Sequence, residues 1–195
     1  LSNKQVVWVE DRMEHLTAAS SATGRLTKIK ASIDDQGTIH ALDYDQIDDV
    51  GAYPRAPEPA SLYRMHGNLS GAYKVKNIRC RNRVILTNKT PSGLNRGFGG
   101  PQHYFALERL VHQIAVELKL NVLDVIKINL LEKNQFPYKS PSGALLDSGN
   151  FQKLVKKVIE SSTYKKILKN KNDSVKNGKI YGIGYSAIIE PSISN

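Results

Sequence analysis

Gly97, Gly99 and Gly100, three glycines in four positions with Pro101 directly after them, constrain this chain more than any other stretch. Backbone there carries little side-chain cover and can enter positive φ without strain. Pro101 suits the first helical turn, where a missing N–H costs nothing. Beyond it Phe105, Leu107, Leu110, Val111, Ile114, Ala115 and Leu118 recur at helical spacing, which predicts a helix over 102–120 with one face buried. The expected product is a helix N-terminus with free amide donors and a partial positive charge, with Arg96 beside it. Two readings fit: ordinary capping, or a seat for a phosphate, an oxo group or the polar edge of a cofactor. Phe98, set between glycines, is expected to project an aromatic ring into the space they leave open.

On either side of this loop the patterning alternates between strand and helix. Residues 5–9 read as a buried strand. Residues 26–33 and 38–44 form the arms of a hairpin about the Asp34-Asp35-Gln36-Gly37 turn, with 45–51 continuing or bulging from the second arm. Residues 53–59 hold three prolines and must be irregular. Ser61 caps a short helix over 62–69, and 73–78 and 83–87 are strand-like. Asn121 caps a second helix with Val122, Ile126 and Leu130 on one face. Residues 135–143 form a loop, and Asn150 caps a third helix carrying Phe151, Leu154, Val155, Val158, Ile159, Ile167 and Leu168. Residues 179–190 read as a closing strand. The expected fold is α+β: an antiparallel hairpin region packed with three helices. The chain reads as one unit over 1–195, with 1–100 mostly strand and loop and 101–170 mostly helical.

Composition narrows the partners. No apolar run reaches the roughly 18 residues that a membrane span needs. The single cysteine, Cys80, excludes an internal disulfide and points to a reducing, cytoplasmic setting. A net charge of +10 invites nucleic acid, but much of the excess is lysine between Lys153 and Lys179. Lysine without interleaved arginine or aromatics reads as a solvated helix face, which leaves a basic nucleic-acid-binding module as the second reading.

The remaining chemistry is sparse. Glu108 and Arg109, flanked by Leu107 and Leu110, read as structural partners rather than a catalytic pair. Gln102 can serve a ligand or the preceding loop. His103 and His112 lie two and a half turns apart, too far for one metal ion. His15, His40 and His66 have no acidic or cysteine partner at ligand spacing, so no zinc or iron site is expected. Arg79 and Arg81 flank Cys80 and could lower its pKa, against the plainer reading of a small buried side chain.

The segment Arg96-Gly97-Phe98-Gly99-Gly100-Pro101-Gln102 resembles the Arg-Gly-Phe-Gly-Gly-Pro-Gln motif of the molybdenum hydroxylases, the xanthine dehydrogenase, aldehyde oxidoreductase and carbon monoxide dehydrogenase family. Further likenesses follow in the same order: Glu10-Asp11-Arg12, residues 73–79, Ala106-Leu107-Glu108-Arg109-Leu110, Lys127-Ile128-Asn129-Leu130, and 182–184 through 190–192. The resemblance implies that the chain is an internal fragment of the molybdopterin-binding large subunit, part of a larger domain. It assigns the cofactor contacts to Arg96, Gly97, Phe98, Gly99, Gly100 and Gln102, with Phe98 also packed over a small-molecule substrate. It implies an oxidoreductase that hydroxylates aldehydes or N-heterocycles with water as oxygen source. The active-site cysteine loop of the carbon-monoxide branch has no counterpart here.

The expected partners are the remainder of the large subunit together with iron–sulfur (2Fe-2S) and flavin (FAD) subunits or domains. The family's catalytic glutamate has no counterpart in this chain, so no catalytic residue is expected within it. Alone it should be inactive, without bound cofactor, and free to self-associate through faces meant for other polypeptide. A purely structural packing role is the third reading.

Overall fold

Asp34 turns the chain back on itself. Its Oδ1 accepts from the Gln36 and Thr38 amides at 3.0 and 2.8 Å, and Gly37 takes a φ of 83° at the corner. The computed structural model describes residues 3–22, 24–55, 64–93, 96, 97 and 99–190. The arms of the turn are β1 (Gly24–Ile33) and β2 (Ile39–Asp49), an antiparallel pair as the hairpin pattern predicts. The second arm runs on to Asp49 without breaking.

The third strand departs from that pattern. Residues 73–78 and 83–87 do not form two strands; one strand, β3 (Asn77–Ile85), lies parallel to β2 on its far side. The connection between β2 and β3 is long enough for this crossover, and it contains a 3-10 turn at Arg64–Asn68 where a short helix is expected. Ser61, its expected cap, lies outside the described residues.

Alternation gives the sheet two unlike faces. Outward, Arg79 forks onto Asp43 at 2.8 and 2.6 Å, and Arg83 reaches Asp45 at 2.5 Å. Inward, Leu42, Tyr44, Gln46 and Asp48 are all buried. Against Leu42 and Tyr44 pack Leu107 and Val111 of α2 (Gly100–Glu117) and Val125 and Ile126 of α3 (Val122–Asn129). Asn129 pins this core to the hairpin. Its Oδ1 accepts from the Ile39 amide and its Nδ2 donates to the Gly37 and Val125 carbonyls, all at 2.8 Å.

The other elements correct the expected outline in several places. Residues 5–9 are not a buried strand: Val6, Val7, Trp8 and Val9 are 71–85% exposed, with no strand beside them among the described residues. A helix missed in the sequence follows, α1 (Arg12–Ala18), started by a capping box between Asp11 and Glu14. The loop after α3 holds a two-stranded hairpin, β4 (Tyr138–Lys139) with β5 (Leu145–Leu146). The third expected helix is two. Ser161, extended at ψ 147°, ends α4 (Phe151–Glu160), and its Oγ accepts from the Tyr164 amide to start α5 (Ser162–Lys176). Residues 179–190 are extended, with half-buried and exposed residues alternating, but they join no sheet among the described residues. Phe105, expected on the buried face of α2, is 77% exposed. The α+β class holds, with five helices rather than three among the described residues.

Candidate functional site

The glycine loop sits on a stitched platform. The Ser92 amide donates to the Val50 carbonyl at 3.0 Å, Gly93 to Ser21 at 3.0 Å, and Ala52 to Lys89 at 3.0 Å. Gly51, at φ 77°, lies so close beneath residues 89–91 that an added Cβ would stand 2.5 Å from the Thr90 carbonyl oxygen. Only glycine fits there. The chain then enters α2 through Gly97 at φ 94° and Gly99 at φ 90°, with Gly99 as a left-handed N-cap and Pro101 in the first turn. A Cβ on Gly97 would meet the Pro101 ring at 2.8 Å.

This geometry holds fewer free donors than the bare helix start expected from the sequence. The Gly100 amide is committed to the Gly97 carbonyl at 2.8 Å and the His103 amide to the Gly99 carbonyl at 3.3 Å; Pro101 has none to give. Arg96 is exposed in the turn, and no hydrogen bond or ion pair engages it among the described residues. Gly99 and Gly100 are buried. Gln102 is half-buried, and its Oε1 is shielded from solvent with no partner among the described residues. Arg96, Gly97, Gly99, Gly100 and Gln102 therefore lie on one continuous turn. Phe98 lies outside the described residues.

Sequence reasoning missed Glu190. A Cβ on Gly100 would stand 3.3 Å from Glu190 Oε2, so a carboxylate already flanks the positive end of α2. Three side chains one helical turn apart bring it there. Tyr104 donates its hydroxyl to the Ile189 carbonyl, Glu108 Oε2 accepts from the Ala187 amide at 2.9 Å, and His112 Nε2 lies 2.6 Å from the Tyr185 carbonyl. Four helical residues rise about 6 Å and two extended residues about 6.6 Å, so the two repeats keep step. In the sequence this shows only as polar residues at i, i+4 and i+8 on the helix, a spacing that does not say which segment they meet.

Glu108 holds Ala187 and makes no bond to Arg109, its expected partner, among the described residues. It also accepts from the Tyr73 hydroxyl at 2.9 and 3.0 Å, and burial pushes its carboxyl up to about 7. Arg109 is exposed. With Arg25, Thr27, Pro101, Gln102 and Phe105 it borders a groove of about 620 Å³ between β1 and α2.

The histidines separate by environment. His103 is fully buried, which pushes its imidazole down to about 3, while His112 serves the ladder. His15 and His40 do have acidic neighbours, Glu10 at 2.5 Å and Asp34 at 3.4 Å. No group of three His, Cys, Asp or Glu among the described residues could hold a metal ion. Cys80 is exposed on β3, and its partly buried thiol is raised rather than lowered, burial outweighing Arg25. No described helix is long and apolar enough to cross a membrane.

Comparison with known proteins gives a consistent picture. Residues 1–130 match the model of the molybdopterin cofactor-binding domain. The chain is 27% identical over 190 residues to the nicotine 6-hydroxylase large subunit of Paenarthrobacter nicotinovorans, covering 96% of this chain and 23% of that subunit. It is 29% identical over 194 residues to the carbon monoxide dehydrogenase large chain of Afipia carboxidovorans, covering 95% and 24%. Quinoline 2-oxidoreductase from Pseudomonas putida 86 superposes with a TM-score of 0.78 at 25% identity, over 88% of this chain and 22% of that one. The chain thus spans about a quarter of the length of the relatives it matches.

Proposed function

Since this chain belongs to the molybdopterin cofactor-binding domain family, we propose that its glycine turn forms one wall of a molybdopterin site within the large subunit of a molybdenum hydroxylase. The observation that carries the reading is the turn itself. Positive-φ glycines clear the surface, the exposed guanidinium of Arg96 stands at its start, and the shielded acceptor Gln102 Oε1 stands at its end. A pterin edge suits that pair, because its ring N–H groups need an acceptor and its anionic substituents suit a guanidinium. Gly97, Gly99 and Gly100 allow close backbone approach, and the substrate-packing role of Phe98 rests on the sequence resemblance alone. When bound, this cofactor brings its metal on its own dithiolene, so the chemistry requires no protein ligand cluster.

The rest of the subunit supplies the catalytic carboxylate. Iron–sulfur and flavin partners carry electrons away, and water supplies the oxygen. Aldehydes or N-heterocycles are the substrate class; the nicotine and quinoline enzymes among the relatives lend weight to the heterocycles.

One observation favours a second reading, that the turn only caps α2 and packs. Glu190 already flanks the helix end, and two nearby amides are satisfied internally. Arg96→Ala and Gln102→Ala in the intact large subunit separate the two. Released pterin per folded subunit should fall by about tenfold, the loss of one hydrogen bond in each variant, with Tm unchanged. Full pterin content in both variants would favour the capping role.

A further inference from the structure

Thr27, Gln46 and Asn82 stand directly opposite one another across the three strands, on the inner face of the sheet. Each carries a buried polar atom without a hydrogen-bond partner among the described residues: Thr27 Oγ1, Gln46 Nε2 and Asn82 Oδ1. Their other valences are spent locally, Asn82 Nδ2 on Asp48 at 3.0 Å and Gln46 Oε1 on the Cys80 thiol at 3.9 Å. One step along the same face, the Tyr44 ring lies 5.8 Å from that of His103. His103 is fully buried, and both its ring nitrogens are unpartnered among the described residues, as is His66 Nε2. Arg25 and Asp48 act electrostatically on His66, and Arg25 and His66 on His103, which gathers these groups at one end of the sheet.

Six polar atoms in one place cannot all stay unpaired, because a buried group without a partner costs more than its bond would return. Their chemistry names the partner. Gln46 Nε2 donates, Asn82 Oδ1 accepts, the Thr27 hydroxyl does either, and a neutral imidazole offers one of each. Charge is absent from the set: Arg25 and Asp48 close on each other through two 2.7 Å bonds, and burial keeps His103 neutral. An anion would find too few donors and a cation too few acceptors. The geometry points to a buried water cluster, bound by His103, His66 and the Thr27–Gln46–Asn82 row, that joins the sheet to the first turn of α2. Buried waters make about three hydrogen bonds each, so roughly two or three would serve all six atoms.

A crystal structure of this chain that orders solvent tests the inference. Waters are expected within hydrogen-bonding distance of a His103 nitrogen and of Thr27, Gln46 or Asn82. An empty space, or direct pairing of these atoms with another side chain, overturns it. The sign of a stability change tests it separately. His103→Phe and Gln46→Leu should each lower Tm by roughly 2–4 °C, because bonds to water are lost; a rise in Tm would mean the atoms have no partner to lose. Should either variant fail to fold, magnetisation transfer from long-lived water to the His103 ring protons of the native chain decides, its presence supporting the cluster and its absence removing it.

Discussion

Glu108 and His103 sit on one helix and titrate in opposite senses. Burial raises Glu108 from 4.5 to about 7. The folded chain then holds the proton more tightly than the unfolded one, so this contribution to stability is full below pH 4.5 and lost as pH rises through 7. At about 1.4 kcal/mol per pH unit it amounts to about 3 kcal/mol. His103 is lowered from 6.5 to about 3, so its neutral form contributes stability that is full above pH 6.5 and lost as pH falls. Between pH 5 and 6.5 the two slopes oppose each other. Glu108→Gln should therefore turn a nearly flat stability profile into one that climbs with pH across this window, measured by urea denaturation at stepped pH. An unchanged profile would show that Glu108 titrates normally. Both residues are plain in the sequence, but neither shift is, because each comes from burial by elements far away along the chain.

At the scale of elements, the extended segment 179–190 is held by side chains rather than by a neighbouring strand. Tyr104, Glu108 and His112 supply what a strand edge otherwise would. Removing one rung, as in Tyr104→Phe or His112→Ala, should cost about 1 kcal/mol. Amide exchange at residues 185–189 should then quicken by about fivefold while α3 stays protected. Equal protection in both variants would mean that the segment is held by other means. Leu107→Ala, in the core beneath, should lower stability by about 2–5 kcal/mol. The apolar run of 179–190 predicts a strand, and the segment is extended; no pattern within twelve residues could tell that a helix would be its partner. Ser161 teaches a similar lesson. Its capping chemistry is as readable as that of Asn121 or Asn150, but the apolar periodicity continues past it and hides the break between α4 and α5.

Across the whole molecule the balance of covered and open surface is uneven. Val6, Val7, Trp8 and Val9 are exposed at one place, and Leu154 and Val158 of α4 at another. Apolar surface of this kind marks sites where other polypeptide packs, and the relatives are about four times longer than this chain. At micromolar concentration the isolated chain is expected to self-associate, shifting the fluorescence of its one tryptophan from that of a solvated indole toward the blue. A monomer by light scattering with fully solvated Trp8 emission at every concentration would contradict this.

What the sequence determined by itself is local: the Asp34–Gly37 turn, the caps at Asn121 and Asn150, the glycine entry into α2 and the buried stripe of Leu107, Val111 and Ile114. These depend on dihedral preferences and hydrogen bonds within a few residues, and a motif of seven residues was enough to point to the family. Tertiary structure alone decided that β3 runs parallel to β2, that residues 5–9 stay uncovered, that Glu190 reaches the start of α2, and that Thr27, Gln46 and Asn82 line up across the inner face of the sheet. Each is a matter of which distant segment arrives beside which, and such pairings are set by the packing of whole faces.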